Sequence, residues 1–163
     1  MISPVLPISS FSPAEIMERA VSNDEREWVP AAAPNVWMRP LLFDTVQGAW
    51  VNIVRMRTEG VITRHHHPAP VHGYVIKGRW RYLERDWMAE EGSYLFEPPG
   101  DVHTLWAEPG ESLTLFFINS CLIELDEQGN TIGAADVFTR IHQAERHFEA
   151  VGLGADYVQR FIR

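Results

Sequence analysis

Residues 60–78, GVITRHHHPAPVHGYVIKG, and residues 92–103, GSYLFEPPGDVH, hold five of the chain's seven histidines between them. Side chains alternate along an extended segment, so His65 and His67 share one face and His66 points to the other. Two imidazoles on one inward face are half of a metal site. Pro98-Pro99-Gly100-Asp101 is a turn sequence that ends one strand and starts its neighbour, and it delivers His103 36 residues after His67. A third imidazole then completes a facial set of ligands. The pattern predicts a metal pocket in a β-barrel.

Outward from this stretch, short β-prone runs broken by Gly, Pro and Asp predict strands near 36–43, 49–57, 61–66, 71–77, 79–85, 93–97, 102–107 and 112–123. Eight strands suit a jelly roll. Gly78 reads as the bend between two of them, and Asp126-Glu127-Gln128-Gly129-Asn130 as a turn before Thr131. Ahead of the strands, Pro4 and Pro7 favour an extended arm over residues 1–11, and Ser12-Pro13-Ala14-Glu15 has the capping chemistry of a helix running to Asn23. The acidic run Asp24–Glu27 reads as a solvated face. After the strands, a cap at Asp136 and apolar residues at Phe138, Ile141, Ala144, Phe148 and Val151 predict a helix stopped by Gly152. His142 and His147 on it are five apart, the wrong spacing for two ligands on one helical face. A last short helix spans Asp156 to Ile162. The chain is thus expected to be one domain: an N-terminal arm and short helix over 1–35, a barrel over 36–134 and a C-terminal helical extension over 135–163.

The bulk composition agrees with a folded domain. At 163 residues, with 45% hydrophobic and 22% charged residues, the chain can build a proper core. Its formal charge of -8 argues against nucleic acid or an anionic membrane as partner, since both reward a basic face. The lone Cys121 cannot form an internal disulfide, and its apolar run predicts a buried, inert thiol in a reducing cytoplasm. No run is long enough to span a membrane, and the start lacks the features of a secretory signal. An apolar arm and an open sheet favour a homodimer or homotetramer.

The two histidine stretches resemble the paired motifs of the cupin superfamily, G(X)5HXH(X)3,4E(X)6G and G(X)5PXG(X)2H(X)3N. Gly92, Pro98, Gly100 and His103 fall in register with the second, with Ala107 in place of its final Asn. In the first, His65, His67 and Gly78 fit, Gly60 stands one residue too close, and Val71 occupies the place of the glutamate. His72 reaches that place only if the spacing shifts by one. The cupin double-stranded β-helix is the fold this implies. A valine there leaves three neutral imidazoles around a divalent ion, which favours an anionic, bidentate ligand such as an enolate.

Over roughly Trp37 to Leu125 the chain is similar to the 2,4'-dihydroxyacetophenone dioxygenase group of cupins, three-histidine non-haem iron enzymes. That resemblance implies iron(II) held by His65, His67 and His103, dioxygen, and cleavage of the bond between the carbonyl and hydroxymethyl carbons of an aryl hydroxyketone. Imidazoles alone also accept zinc or nickel. Glu97 stands where these dioxygenases place an acidic residue beside the metal; the other reading is an exposed edge glutamate. Arg79, Arg81 and Arg85 are expected on one face of their strand and Trp80, Tyr82 and Glu84 on the other. If the arginines face inward, Arg81 holds an anionic substrate; if not, Tyr82 and Trp80 stack on an aromatic one. Tyr74, Tyr94 and Trp106 are further candidate walls. The rival reading is a metal-binding cupin without turnover, similar to the zinc-binding cupin domain of certain anti-sigma factors, and a third is a metal-dependent isomerase or hydrolase.

Overall fold

The rhythm of short runs and breaks resolves into two six-stranded antiparallel sheets packed on one another, the jelly-roll architecture expected of a cupin. The computed structural model describes residues 12–163, and the arm expected at 1–11 lies outside them. In chain order the strands are β1 (Val29–Pro30), β2 (Val36–Asp44), β3 (Ala49–Met56), β4 (Gly60–His66), β5 (Val71–Lys77), β6 (Arg79–Tyr82), β7 (Ala89–Glu90), β8 (Tyr94–Glu97), β9 (Val102–Ala107), β10 (Ser112–Ile118), β11 (Cys121–Leu125) and β12 (Thr131–Asp136). One sheet runs β1-β2-β3-β10-β5-β8 and the other β12-β11-β4-β9-β6-β7. The histidine strands β4 and β9 are therefore neighbours in the second sheet, while β5 and β8 pair in the first.

Period-two alternation decides what fills the space between the sheets. Val71 and Val75 of β5, Trp80 and Tyr82 of β6, and His103, Leu105 and Ala107 of β9 are all buried. Trp80 also fastens the sheets together, its indole Nε1 donating to Thr114 Oγ1 of β10 at 2.8 Å. Satisfying that N–H inside the core is what lets so large a side chain be fully buried. Helix α1 (Val137–Ala150) follows β12 directly. Asp136 caps it reciprocally with Thr139, and Val137, Ala144 and Phe148 form its buried face. Phe138, expected on that face, is half exposed instead. A 3-10 helix, Ala155–Phe161, then lays Val158 and Phe161 on the core.

Four sequence expectations fail for identifiable reasons. Ser12–Asn23 forms no helix, and only Glu25–Glu27 makes a 3-10 turn, capped by Asp24. The carbonyls of Ala14 and Glu15, which a helix would use internally, instead accept from the Arg163 guanidinium at the other end of the chain. The acidic run is not simply solvated: Glu25 pairs with Arg55 at 2.7 Å and Glu27 with the buried Arg39 at 3.1 Å. The long strand 112–123 is two strands in different sheets, because Ser120 adopts φ +68° while Asn119 Nδ2 donates to Pro70 O at 2.9 Å. Cys121, just past that break, is half-buried rather than buried.

Candidate metal centre

The register of β4 on β9 makes His65 and His103 direct cross-strand partners, so both imidazoles project from the same face. His67 lies one residue beyond β4. Its N–H donates to Asp101 O at 3.2 Å and its carbonyl accepts from Gly100 N–H at 2.8 Å, so the Pro-Pro-Gly-Asp turn holds it beside the other two. One ligand-capable nitrogen from each of the three lies within 4.8 Å of the others, and all three residues are buried. His66 points to the opposite face, as alternation requires. His142 and His147 do not join; His147 Nε2 instead lies 2.9 Å from Arg26 O.

The residues fit a divalent ion. His65 Nε2 and His103 Nε2 are 3.0 Å apart, close to the ~2.9–3.3 Å separating imidazole nitrogens that share a metal at about 2.0–2.1 Å. His103 Nδ1 lies 3.1 Å from Asp101 Oδ2, which fixes the ring so that Nε2 faces inward. Arg85 in turn grips both oxygens of Asp101, at 2.7 and 2.8 Å. Tyr82 stacks on the His103 ring with centroids 3.7 Å apart and planes 11° from parallel. Burial keeps the imidazoles neutral: it holds His65 well below its ordinary value, helped by the neighbouring His103 and His67, and brings His67 down to about 4. His103 is also lowered by burial, against the pull of Asp101. Neutral imidazole is the form that binds a metal.

Glu97 is no edge residue. It is 3% exposed, accepts from Tyr82 Oη at 2.5 Å through Oε1, and brings Oε2, which has no other partner among the described residues, to 3.5 Å from both His67 Nε2 and His103 Nε2. Across β5 and β8 its register partner is Val71. The carboxylate missing from the motif position on β5 is thus present on the adjoining strand. Tyr82 and Trp80 face inward, which takes Arg81 out of the site: its guanidinium pairs with Glu108 at 3.2 Å and lies over Trp106 on the outer surface. His72, Tyr74 and Tyr94 also lie on the outside, with His72 Nδ1 2.8 Å from Tyr94 Oη. Asp101 and Arg85 went unrecognised as supports of His103. An acid two residues before a ligand histidine was the available signal.

His65 and His67 open on a cavity of about 500 Å³ between the sheets, which Tyr82 and Glu97 also line and whose walls are mostly apolar side chains such as Met56, Leu105 and Phe116. That is ample for a small organic ligand.

Residues 17–122 match the ChrR Cupin-like domain family, well over half of the sequence. The chain belongs to that family of cupins. No curated protein matches it. Among solved structures, an RmlC-like cupin protein from Ralstonia eutropha JMP134 is similar at 26% identity and a TM-score of 0.75, over 84% of this chain and 90% of that one. An acetylacetone dioxygenase from Acinetobacter johnsonii shares the fold at 18% identity and a TM-score of 0.70, covering 86% of this cupin and 99% of that chain. The anti-sigma ChrR complex with SigE from Rhodobacter sphaeroides is similar at 17% identity and a TM-score of 0.51, over 60% of this chain and 52% of that one. Among the described residues no helix is long and apolar enough to cross a membrane.

Glu97 gives the metal-free protein a distinctive response to pH. Burial raises its carboxyl from 4.5 to about 7, with Asp101 adding to the rise and the Tyr82 hydrogen bond opposing it. A raised pKa contributes stability that is full below about 4.5 and is lost as pH climbs through about 7. Glu97→Gln stays neutral throughout. Its metal-free form is expected to melt near the wild type at pH 5 but several degrees higher at pH 8, a gain on the order of 2 kcal/mol. Equal melting temperatures at pH 8 would show that Glu97 ionises there without cost.

Proposed function

We propose that this cupin is a metal-dependent dioxygenase that cleaves a carbon-carbon bond in a small hydroxyketone or diketone, of the kind the 2,4'-dihydroxyacetophenone dioxygenase group acts on. His65, His67 and His103 would hold the ion. Iron(II) bound there would supply Lewis acidity toward a ketone oxygen and electrons for dioxygen reduction. For an aryl hydroxyketone the balance is one ketone and one dioxygen giving one aryl carboxylic acid and formic acid, both new oxygens coming from dioxygen.

The observation that carries the reading is the buried Glu97 carboxyl, its Oε2 3.5 Å from the His67 and His103 imidazoles on the wall of a largely apolar cavity. A buried carboxylate beside a divalent ion would be held in its ionised form, the form that can remove the proton next to a carbonyl. Tyr82 holds it in place and stabilises its charged form. Because the imidazoles bring no negative charge, the cluster favours the enolate that this proton transfer creates.

A second reading is a metal-binding sensor without turnover, which the match to the ChrR Cupin-like domain family favours. Oxygen uptake separates the two. Metal-free protein reconstituted anaerobically with iron(II) and given 2,4'-dihydroxyacetophenone or acetylacetone is expected to consume one dioxygen per ketone, and zinc-loaded protein none. Glu97→Gln is expected to slow uptake about 100-fold or more while the iron content is unchanged. Absence of uptake with both ketones would favour the sensor.

A further inference from the structure

The cavity has a second polar group that the proposed chemistry does not use. Arg140, in the first turn of α1, lines it together with His65, His67 and Glu97. Among the described residues its Nε, shut off from solvent, has no partner, and its guanidinium makes one hydrogen bond, Nη1 to Gln143 Oε1 at 2.9 Å. Gln143 is itself held, its Nε2 donating to Pro30 O at 2.8 Å, so the arginine is braced from behind. A buried guanidinium N–H without a partner costs stability unless something accepts from it.

The surrounding charges leave the edge available. Arg64, on the same wall, donates to the Asp126 and Glu127 carbonyls of the β11–β12 turn. Glu124 is the register partner of His65, and its carboxylate lies over Gly133 of β12, where a β-carbon would come within 3.1 Å of Oε2. Burial disfavours the Arg140 charge and Glu124 supports it from across that wall. α1 continues from β12, the edge strand two places from β4, so Arg140 enters the cavity from a different element than the histidines. A cavity of about 500 Å³ leaves room beyond a five-carbon diketone.

We propose that Arg140 is an anion subsite, and that the ligand carries one carboxylate there, at the end opposite the group held by the histidines. The planar fork of Arg140 suits a carboxylate, and Glu124 on the neighbouring wall disfavours a second one. This rests on the proposed ketone chemistry for the identity of the other end, not for the subsite itself.

The test is calorimetric titration of the zinc-loaded protein, which does not turn over, with 5,7-dioxooctanoate and with 2,4-octanedione, its counterpart ending in a methyl group. Wild-type protein is expected to bind the carboxylate at least tenfold more tightly. Arg140→Gln is expected to reduce that preference to twofold or less, Arg140→Lys to an intermediate value, with 2,4-octanedione affinity the same in all three; melting temperatures establish that both variants fold. Equal affinities in the wild type, a preference that survives in Arg140→Gln, or no binding of either ligand would overturn the subsite. If the carboxylate preference depends on Arg140 but binding is indifferent to zinc, the subsite stands and the ketone chemistry falls. Zinc-dependent binding of both ligands without preference gives the reverse.

Discussion

His103→Ala is expected to abolish stoichiometric metal binding. His103 is fully buried, and each of its ring positions is committed: Nδ1 to Asp101, Nε2 to the space shared with His65, and its face to Tyr82. Alanine removes one ligand of three. Structural zinc sites with more ligands bind with about 10–16 kcal/mol, so each ligand accounts for roughly 100- to 1000-fold in affinity, and two imidazoles cannot retain the ion against a chelator. The fold is expected to survive, because Asp101 remains paired with Arg85 and the β4–β9 ladder uses backbone groups. The measurement is metal content after dialysis against a chelator, with circular dichroism on the same sample. A folded His103→Ala protein that keeps one tightly bound metal would remove His103 from the ligand set.

The histidines were legible because strand alternation is a local rule. Two residues of separation put His65 and His67 on one face of an extended segment, and the turn sequence before His103 predicts the neighbouring strand that brings it in; that same turn fastens His67, one residue past β4, beside the others. The position of Glu97 could be picked out, but not its burial. That depends on β8 pairing with β5 in register, which puts Glu97 opposite Val71, a relation between strands that spacing along one chain does not contain. The same holds for the choice between Arg81 and Tyr82, which a single-residue change of parity would have reversed. The helix expected at Ser12–Asn23 was a sound local reading overruled from 148 residues away, when Arg163 took the carbonyl of Glu15. Arg140 was missed for another reason: helical spacing marks the apolar residues that pack, and it says nothing of a polar one aimed into a cavity.

Gly78→Ala is expected to destabilise the protein by more than about 3 kcal/mol, and its cause explains a motif glycine in physical terms. Gly78 turns the chain from β5 in one sheet to β6 in the other, with φ +74°. The left-handed conformation costs a non-glycine residue roughly 1–2 kcal/mol. The crowding is worse. A β-carbon would sit 2.4 Å from Glu111 O and 2.8 Å from Ser112 Cα, backbone atoms at the entry to β10. They cannot retreat, because Ser112 is paired with Met56 and Leu113 with both Arg55 and Lys77. Gly92→Ala is the control: its φ of +85° is equally left-handed, but its β-carbon meets nothing within 4 Å, so it bears the conformational cost alone. Melting curves should place Gly78→Ala roughly 5–10 °C below the wild type and Gly92→Ala only a few degrees below. Equal losses would mean that β10 yields at Glu111. The loss should also reach the site, since Tyr82 lies four residues beyond Gly78 on β6, and a shifted β6 pulls its ring off His103 and its hydroxyl off Glu97. Gly78→Ala is accordingly expected to weaken metal binding, whereas Gly92→Ala leaves it unchanged.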